Sequence, residues 1–200
     1  MGRPSSKFSE SSLRSSSDDA YGSYAQVQSD SSRVVFLHGE VTEQLISNVI
    51  MQLLHLANQN HNSIHLVVST YGGSVDEMFS LYDTIKFLPC KVHTIALGKV
   101  MSAGVLLLAA GVKGNRLIGK SARVMIHPVS GGVGGTIFDV LNEAKEYERL
   151  HELMIECLSK ETKMSEKEIR VIMKSGHDNY LTASDAIKLG IADKIIGDVV

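Results

Sequence analysis

Ser102 lies in a setting where a hydroxyl can act as a nucleophile. The apolar run from Val92 to Leu97 predicts a strand that leads into a tight turn at Gly98, and an almost wholly apolar helix begins at Ser102. The start of a helix carries partial positive charge, and small neighbours let a second backbone come close. The same position also favours a serine that only caps the helix. The residues around Ser102 therefore leave both interpretations open.

A nucleophilic serine needs a base, and histidine is the usual one. His127 follows the short apolar strand predicted at residues 123–126, and Pro128 directs the chain out of the sheet. His177 is the alternative because it adjoins Asp178, which is the candidate carboxylate for orienting the base. The spacing places His127 ahead of His177.

Two backbone N–H groups could stabilise the negative charge that develops during acyl transfer. Gly73 lies in a glycine turn between a predicted strand and helix, and Ala103 opens the helix at Ser102. Two such donors beside a serine hydroxyl form an oxyanion hole. The turn lacks the spacing of a phosphate loop or a dinucleotide fingerprint. A simple strand-to-helix turn remains the alternative interpretation of the glycines.

Other chemistries find less support in the sequence. Position 100 is Val, so the Gly-x-Ser-x-Gly motif of the α/β-hydrolases is absent. A Ser–Lys dyad that uses Lys99 or Lys120 stays open, because a desolvated lysine can act as a base. Cys90 and Cys157 have no metal-ligand spacing, so we expect two buried thiols, no metal site and a reducing, cytoplasmic compartment.

Alternating strands and helices must position these residues. Apolar strands at residues 34–37, 64–69 and 92–97 are separated by helices that Thr42 and Ser74 cap. This order predicts an α/β fold with a parallel sheet covered by helices. Thr136 caps a long helix that runs to about Lys160, one face of which is strongly charged. Such a length suits either a projecting helix that packs against a partner or a solvated surface helix.

Composition and net charge restrict the kinds of partner and the domain organisation that we expect. The 200 residues are 44% hydrophobic and carry a formal net charge of -2, which predicts neither a nucleic-acid nor a membrane partner. Residues 1–32 include 12 serines, so we expect a disordered segment followed by one domain over residues 33–200.

Seven motifs in unbroken order resemble those of the ClpP family, the proteolytic subunits of the Clp serine proteases. They are Arg33–Gly39, Gly72–Val75, Leu81–Ile85, Gly98–Gly104, Met125–Pro128, Asp178–Ala183 and Ala186–Asp193. The resemblance implies a crotonase-like ββα superhelix in which the long helix after Thr136 is a projecting handle. It also implies a self-compartmentalising endopeptidase that degrades unfolded polypeptides and assembles as two stacked heptameric rings.

The resemblance assigns roles to particular residues. Ser102 is expected to be the nucleophile, His127 the base and Asp178 the residue that orients it, with Gly73 and Ala103 as oxyanion donors. A substrate-binding strand is expected at Gly131, Gly132 and Val133. The resemblance further implies that the chain itself needs no cofactor and that ATP is used only by a separate AAA+ unfoldase.

Departures from the family pattern define the alternatives. Tyr71 precedes the glycine pair where the family has proline, Ala103 stands where methionine is common, and Pro128 comes one place early. Residues 1–32 lack the usual hydrophobic N-terminal segment, which leaves the docking of an unfoldase open. The alternatives are a non-catalytic ring subunit, a crotonase-type acyl-CoA enzyme and a specialised phage protease for capsid maturation.

Overall fold

The computed structural model describes residues 33–174 and 176–197. These residues belong to one compact unit, Arg33–Val200. The segment over residues 1–32, for which the sequence predicts disorder, lies outside the described residues.

Strands and helices alternate through the first half of the domain, as the apolar periodicity predicts. Within the described residues the strands are β1 Val34–His38, β2 Ile64–Thr70, β3 Val92–Met101, β4 Arg116–Ile118, β5 Arg123–Ile126, β6 Asn179–Leu181 and β7 Lys194–Ile195. The helices are α1 Glu43–Gln59, α2 Val75–Phe87, α3 Ala103–Ala109, α4 Ile137–Glu161, α5 Glu166–Lys174 and α6 Ala183–Lys188. The hydroxyls of Thr42, Ser74 and Thr136 accept hydrogen bonds from helix N–H groups, as expected of N-caps.

The sheet is parallel in the order β1-β2-β3-β4-β7, and β5 pairs with the far end of β3. Only β6, which pairs with β5, runs antiparallel among the described strands. Side chains alternate along β1, where Val35 and Leu37 are buried and Phe36 is exposed, so one face of the sheet carries the core. Helix α3 lies inside that core, with every residue buried. The predicted parallel α/β architecture is confirmed.

The predicted turn at Gly98 is wrong. Strand β3 continues through Gly98 to Met101, and Gly98 adopts a φ of 68° inside it. The strand pairs with β4 up to Ala96 and with β5 from Lys99 onward. Glycine accepts this left-handed conformation without steric cost, so it allows an irregularity in the strand where the sequence suggested its end.

Helix α4 differs in environment along its 25 residues. Its first turns expose large apolar side chains, since Ile137 is 65%, Phe138 74% and Leu141 52% accessible. From Leu150 onward its inner face is buried against the domain. The start of α4 therefore carries an exposed apolar surface, whereas the inner face of its second half is part of the core.

Buried polar groups link the helix ends to the sheet. Arg116 and Asp193 form an ion pair of 2.6 Å, and Arg116 also donates to the carbonyl of Glu161. The Glu161 carboxylate accepts from the Tyr82 hydroxyl at 2.9 Å and pairs with Lys86 at 2.7 Å. Burial, together with the hydrogen bond to Glu161, raises the pKa of Tyr82. Among the described residues, no helix is both long and apolar enough to span a bilayer.

Candidate active site

Ser102 stands between β3 and α3 in a conformation that few residues adopt. Its φ of 53° and ψ of -122° make it the one residue other than glycine with a positive φ in the described part of the chain. Its N–H donates to the Met125 carbonyl on β5 at 2.9 Å, which fixes the backbone. The hydroxyl makes no capping hydrogen bond with α3. Of the two interpretations of Ser102, the structure therefore does not support the simple cap.

His127 is the histidine that meets the Ser102 hydroxyl. Its Nε2 lies 2.7 Å from Ser102 Oγ, which is hydrogen-bond distance for a base and its nucleophile. The contact follows from the sheet, because Met101, the last residue of β3, pairs with Met125, the residue before the last in β5. Both side chains are half-buried, so they are accessible to a ligand.

The candidate oxyanion donors are the N–H groups of Gly73 and Ala103, and both residues line the same cleft as Ser102. Gly73 forms a parallel bridge to Val41 through the neighbouring peptide groups, and its own N–H donates no hydrogen bond within the described residues. The Ala103 N–H belongs to the first turn of α3, where helices leave their N–H groups unpaired. Gly73, Ser102, Ala103 and His127 all line one cleft of about 50 Å³.

The glycine pair is required by the close approach of three backbone segments. A Cβ on Gly72 would lie 2.6 Å from the Cβ of Ser102, and one on Gly73 would lie 2.4 Å from the Val41 carbonyl oxygen. Both glycines also have positive φ, 104° and 148°. The sequence identified the glycines as a turn, but their contact with Ser102 depends on the tertiary fold.

The chain is similar to known proteins over most of its length. The model of the family described as Clp protease matches residues 15–199. An "ATP-dependent Clp protease proteolytic subunit" from Borreliella afzelii is 36% identical over 165 residues, which cover 82% of this chain and 83% of the relative. Similar subunits from Borreliella burgdorferi and Chlamydia felis, each named "ATP-dependent Clp protease proteolytic subunit 1", are 34% and 37% identical over 82% of this chain and 84% and 80% of their own lengths.

The chain belongs to the Clp protease family. This assignment makes it a hydrolase of the protease class, and it confirms the resemblance drawn from the seven sequence motifs.

Asp178 lies near His127 along the sheet of this Clp protease, but the two side chains are not joined. Strands β5 and β6 pair Ile126 with Asn179, so one further step of the ladder sets His127 opposite Asp178. The Asp178 side chain is exposed and accepts a hydrogen bond of 3.4 Å from the Tyr180 hydroxyl. No hydrogen bond or ion pair links Asp178 with His127 among the described residues. The orienting role of Asp178 stays a prediction.

The segment around Gly131, Gly132 and Val133 forms no strand in this chain. The three residues are exposed in an irregular loop between β5 and α4, and the Tyr147 hydroxyl reaches the Gly132 carbonyl at 3.4 Å. A strand edge there needs a second extended chain to pair with. The substrate-binding role of this segment stays a prediction.

The other candidate bases lie elsewhere. Lys120 is exposed after β4, and the Lys99 Nζ lies 4.7 Å from the centre of the Tyr71 ring. Neither lysine lines the cleft of Ser102, and His177 is exposed in the loop before β6. Of the candidate bases, only His127 hydrogen-bonds the Ser102 hydroxyl.

Sequence reasoning missed the apolar wall of the cleft. Val75 and Met78 from α2, Met154 from α4 and Val129 from the loop after His127 line it beside Ser102. Val75, Met78 and Met154 fall on apolar helix faces, whose periodicity predicts core rather than a ligand surface. An apolar pocket beside a nucleophile can accept an apolar side chain of a substrate.

Sequence reasoning also missed Asn179. Its side chain hydrogen-bonds the backbone next to the candidate base His127 and the backbone next to the candidate carboxylate Asp178. Its Nδ2 donates to the carbonyls of Ile172 at 3.0 Å, His177 at 2.9 Å and Ile126 at 3.4 Å. One amide thus ties the end of β5 to the loop that carries Asp178. No pattern along the chain predicts such a bond, because its acceptors are up to 53 residues away.

Proposed function

We propose that the chain is a serine endopeptidase in which Ser102 attacks the substrate carbonyl and His127 removes the hydroxyl proton. The observation that carries this proposal is the 2.7 Å contact between His127 Nε2 and Ser102 Oγ, made by a serine held out of the ordinary backbone regions. The Gly73 and Ala103 N–H groups stabilise the oxyanion of the tetrahedral intermediate. His127 then protonates the leaving amine, and water hydrolyses the acyl-enzyme by the reverse sequence.

Asp178 completes the catalytic group in this proposal. The register of β5 and β6 supports this role, because it carries Asp178 to the position opposite His127. A carboxylate there orients the imidazole and stabilises its protonated form during the reaction. In this role Asp178, which accepts a hydrogen bond from the Tyr180 hydroxyl in the structure, also accepts one from the imidazole N–H.

The proposed substrate is an unfolded polypeptide in extended form. Its backbone pairs with the edge of the segment Gly131, Gly132 and Val133, and an apolar side chain enters the cleft lined by Met78 and Met154. Hydrolysis uses no cofactor in this chain. The relatives are named as ATP-dependent, and we assign the ATP to a separate AAA+ unfoldase that delivers the polypeptide.

We also propose the family's assembly for this chain, namely the ββα superhelix subunit in two stacked rings of seven in the cytoplasm. The exposed apolar residues at the start of α4 support it, since Ile137 and Phe138 suit burial against a second copy. In this assembly α4 is the handle between the rings.

Labelling with a fluorophosphonate tests the proposed chemistry. We expect modification at Ser102, located by mass spectrometry, and loss of peptide cleavage by a factor on the order of 10⁶ in Ser102→Ala. Ser121→Ala is the matched control, because Ser121 is exposed in a turn outside the cleft, and it should keep full activity. An unlabelled Ser102 together with no peptide cleavage indicates a non-catalytic ring subunit. Turnover of acyl-CoA that serine reagents leave unchanged indicates a crotonase-type enzyme.

A further inference from the structure

A second groove of about 380 Å³ adjoins the cleft of Ser102. It is lined by Gly39, Glu40, Tyr71, Gly72, Gly73 and Lys99, and Gly73 is the residue that it shares with the cleft. Most of these residues follow the carboxyl ends of β1 and β2. Lys99 lies in β3, three residues before Ser102. A polypeptide whose carbonyl faces the Gly73 N–H therefore passes directly beside this groove.

Lys99 gives the groove a cation in a defined place. Its side chain is half-buried, and its Nζ lies 4.7 Å from the centre of the Tyr71 ring. Contact with an aromatic face restrains the ammonium without neutralising it. Within the described residues, Lys99 forms no salt bridge, and Glu40, although it lines the same groove, lies beyond ion-pair distance.

Tyr71, the aromatic residue of the groove, is largely exposed. Its residue is 66% accessible although it directly precedes the buried Gly72. The two glycines add no side chains to the groove, so an extended backbone can lie close to them. The groove therefore combines a floor suited to a main chain with a wall that consists of one ring and one cation.

We propose that this groove is a substrate subsite that takes an acidic side chain of the bound polypeptide, with its carboxylate on Lys99 and its methylene groups against the Tyr71 ring. This inference rests on the proposed function, because it needs a polypeptide bound at Ser102. An acidic residue is preferred over a basic one because Glu40 is exposed, so water and salt screen its charge more than that of the half-buried Lys99.

A set of quenched fluorescent peptides tests the subsite. One Glu is moved through each position from three before to three after the cleaved bond, and each peptide is compared with its Gln counterpart. We expect kcat/KM to favour Glu over Gln by roughly three- to fivefold at one position, which is the strength of a partly exposed ion pair. The preference should vanish in Lys99→Met, reverse in Lys99→Glu and weaken at high salt.

The control and a binding measurement keep the outcomes separate. Lys167→Met removes an exposed lysine from α5 and should leave the preference unchanged. Fluorescence anisotropy on Ser102→Ala, with the same peptide sequences carrying the fluorophore but no quencher, measures binding without turnover, and the same dependence on Lys99 is expected. Equal affinity of Glu and Gln peptides at every position, or a preference that survives Lys99→Met, overturns the subsite. Failure of cleavage alone, with the Lys99-dependent binding preserved, overturns the proposed hydrolysis and leaves the subsite supported.

Discussion

Replacing Ser102 by glycine should abolish activity and give a protein that is more stable than the alanine variant at the same position. The backbone at Ser102 has a φ of 53° and a ψ of -122°, a region that suits glycine and that side chains oppose. This position is the link between β3 and the buried helix α3, so the surrounding core holds it in place. The strain exists because the fold must present the hydroxyl to His127.

The magnitude follows from comparing Ser102→Gly with Ser102→Ala. Both variants lose the hydroxyl and its hydrogen bond to His127, so those terms cancel in the comparison. Relief of a strained conformation contributes about 1–3 kcal/mol, and the greater freedom of glycine in the unfolded chain removes about 0.4–1 kcal/mol of it. We expect the glycine variant to be more stable than the alanine variant by about 0.5–2 kcal/mol, which raises the melting temperature by roughly 1–8 °C.

Calorimetry on the two variants, at equal concentration and with the same assembly state checked by light scattering, measures this difference. Both variants should fail to cleave peptides and fail to react with a fluorophosphonate. A Ser102→Ala protein that is as stable as Ser102→Gly, or more stable, would show that the backbone at this position stores no strain. In that case function does not hold Ser102 in an unfavourable conformation.

Three further substitutions test other parts of the structure. Gly72→Ala places a Cβ 2.6 Å from that of Ser102 and should lower kcat/KM at least about 100-fold. Gly114→Ala is the control, because Gly114 has a φ of 90° and therefore a comparable backbone penalty, but a Cβ there meets nothing within 4 Å. This control variant should keep full activity. Asp193→Asn leaves the buried Arg116 without its carboxylate and should lower the free energy of unfolding at pH 7 by about 3 kcal/mol. Burial tends to raise the pKa of Asp193, but hydrogen bonds from Arg116 and Gly114 outweigh it and hold the pKa below 3.8, so the deficit in denaturant titrations should shrink only as the pH falls below that value. A deficit that persists unchanged at pH 2 would contradict this role. Ile137→Ser combined with Phe138→Ser should reduce the mass measured by light scattering, and an unchanged mass would exclude the start of α4 as an assembly contact.

The sequence was sufficient for features that depend on local pattern. Apolar periodicity located β1, β2 and α1, and the side chains of Thr42 and Thr136 marked helix starts that the structure contains. The candidate residues Ser102 and His127 could be selected because each follows a strand at the edge where parallel sheets collect their ligands. Features that join distant segments could not be predicted in this way. Examples are the hydrogen bonds of Asn179 and the ion pair between Arg116 and Asp193, which are 77 residues apart in the chain. No periodic pattern in the sequence predicts either contact.

The path of β3 at Gly98 differs from the turn that the sequence predicts, and this difference determines where Ser102 lies. As a turn, Gly98 would have ended β3, and Ser102 would have followed in a loop with no strand beside it. The strand instead leaves β4 after Ala96, passes Gly98 at a φ of 68° and pairs with β5 through Lys99 and Met101. That exchange of partners brings the end of β5, and therefore His127, within 2.7 Å of the Ser102 hydroxyl. A side chain at position 98 would strain the backbone that makes the exchange, so the glycine that punctuates the sequence is a condition for the contact between base and nucleophile.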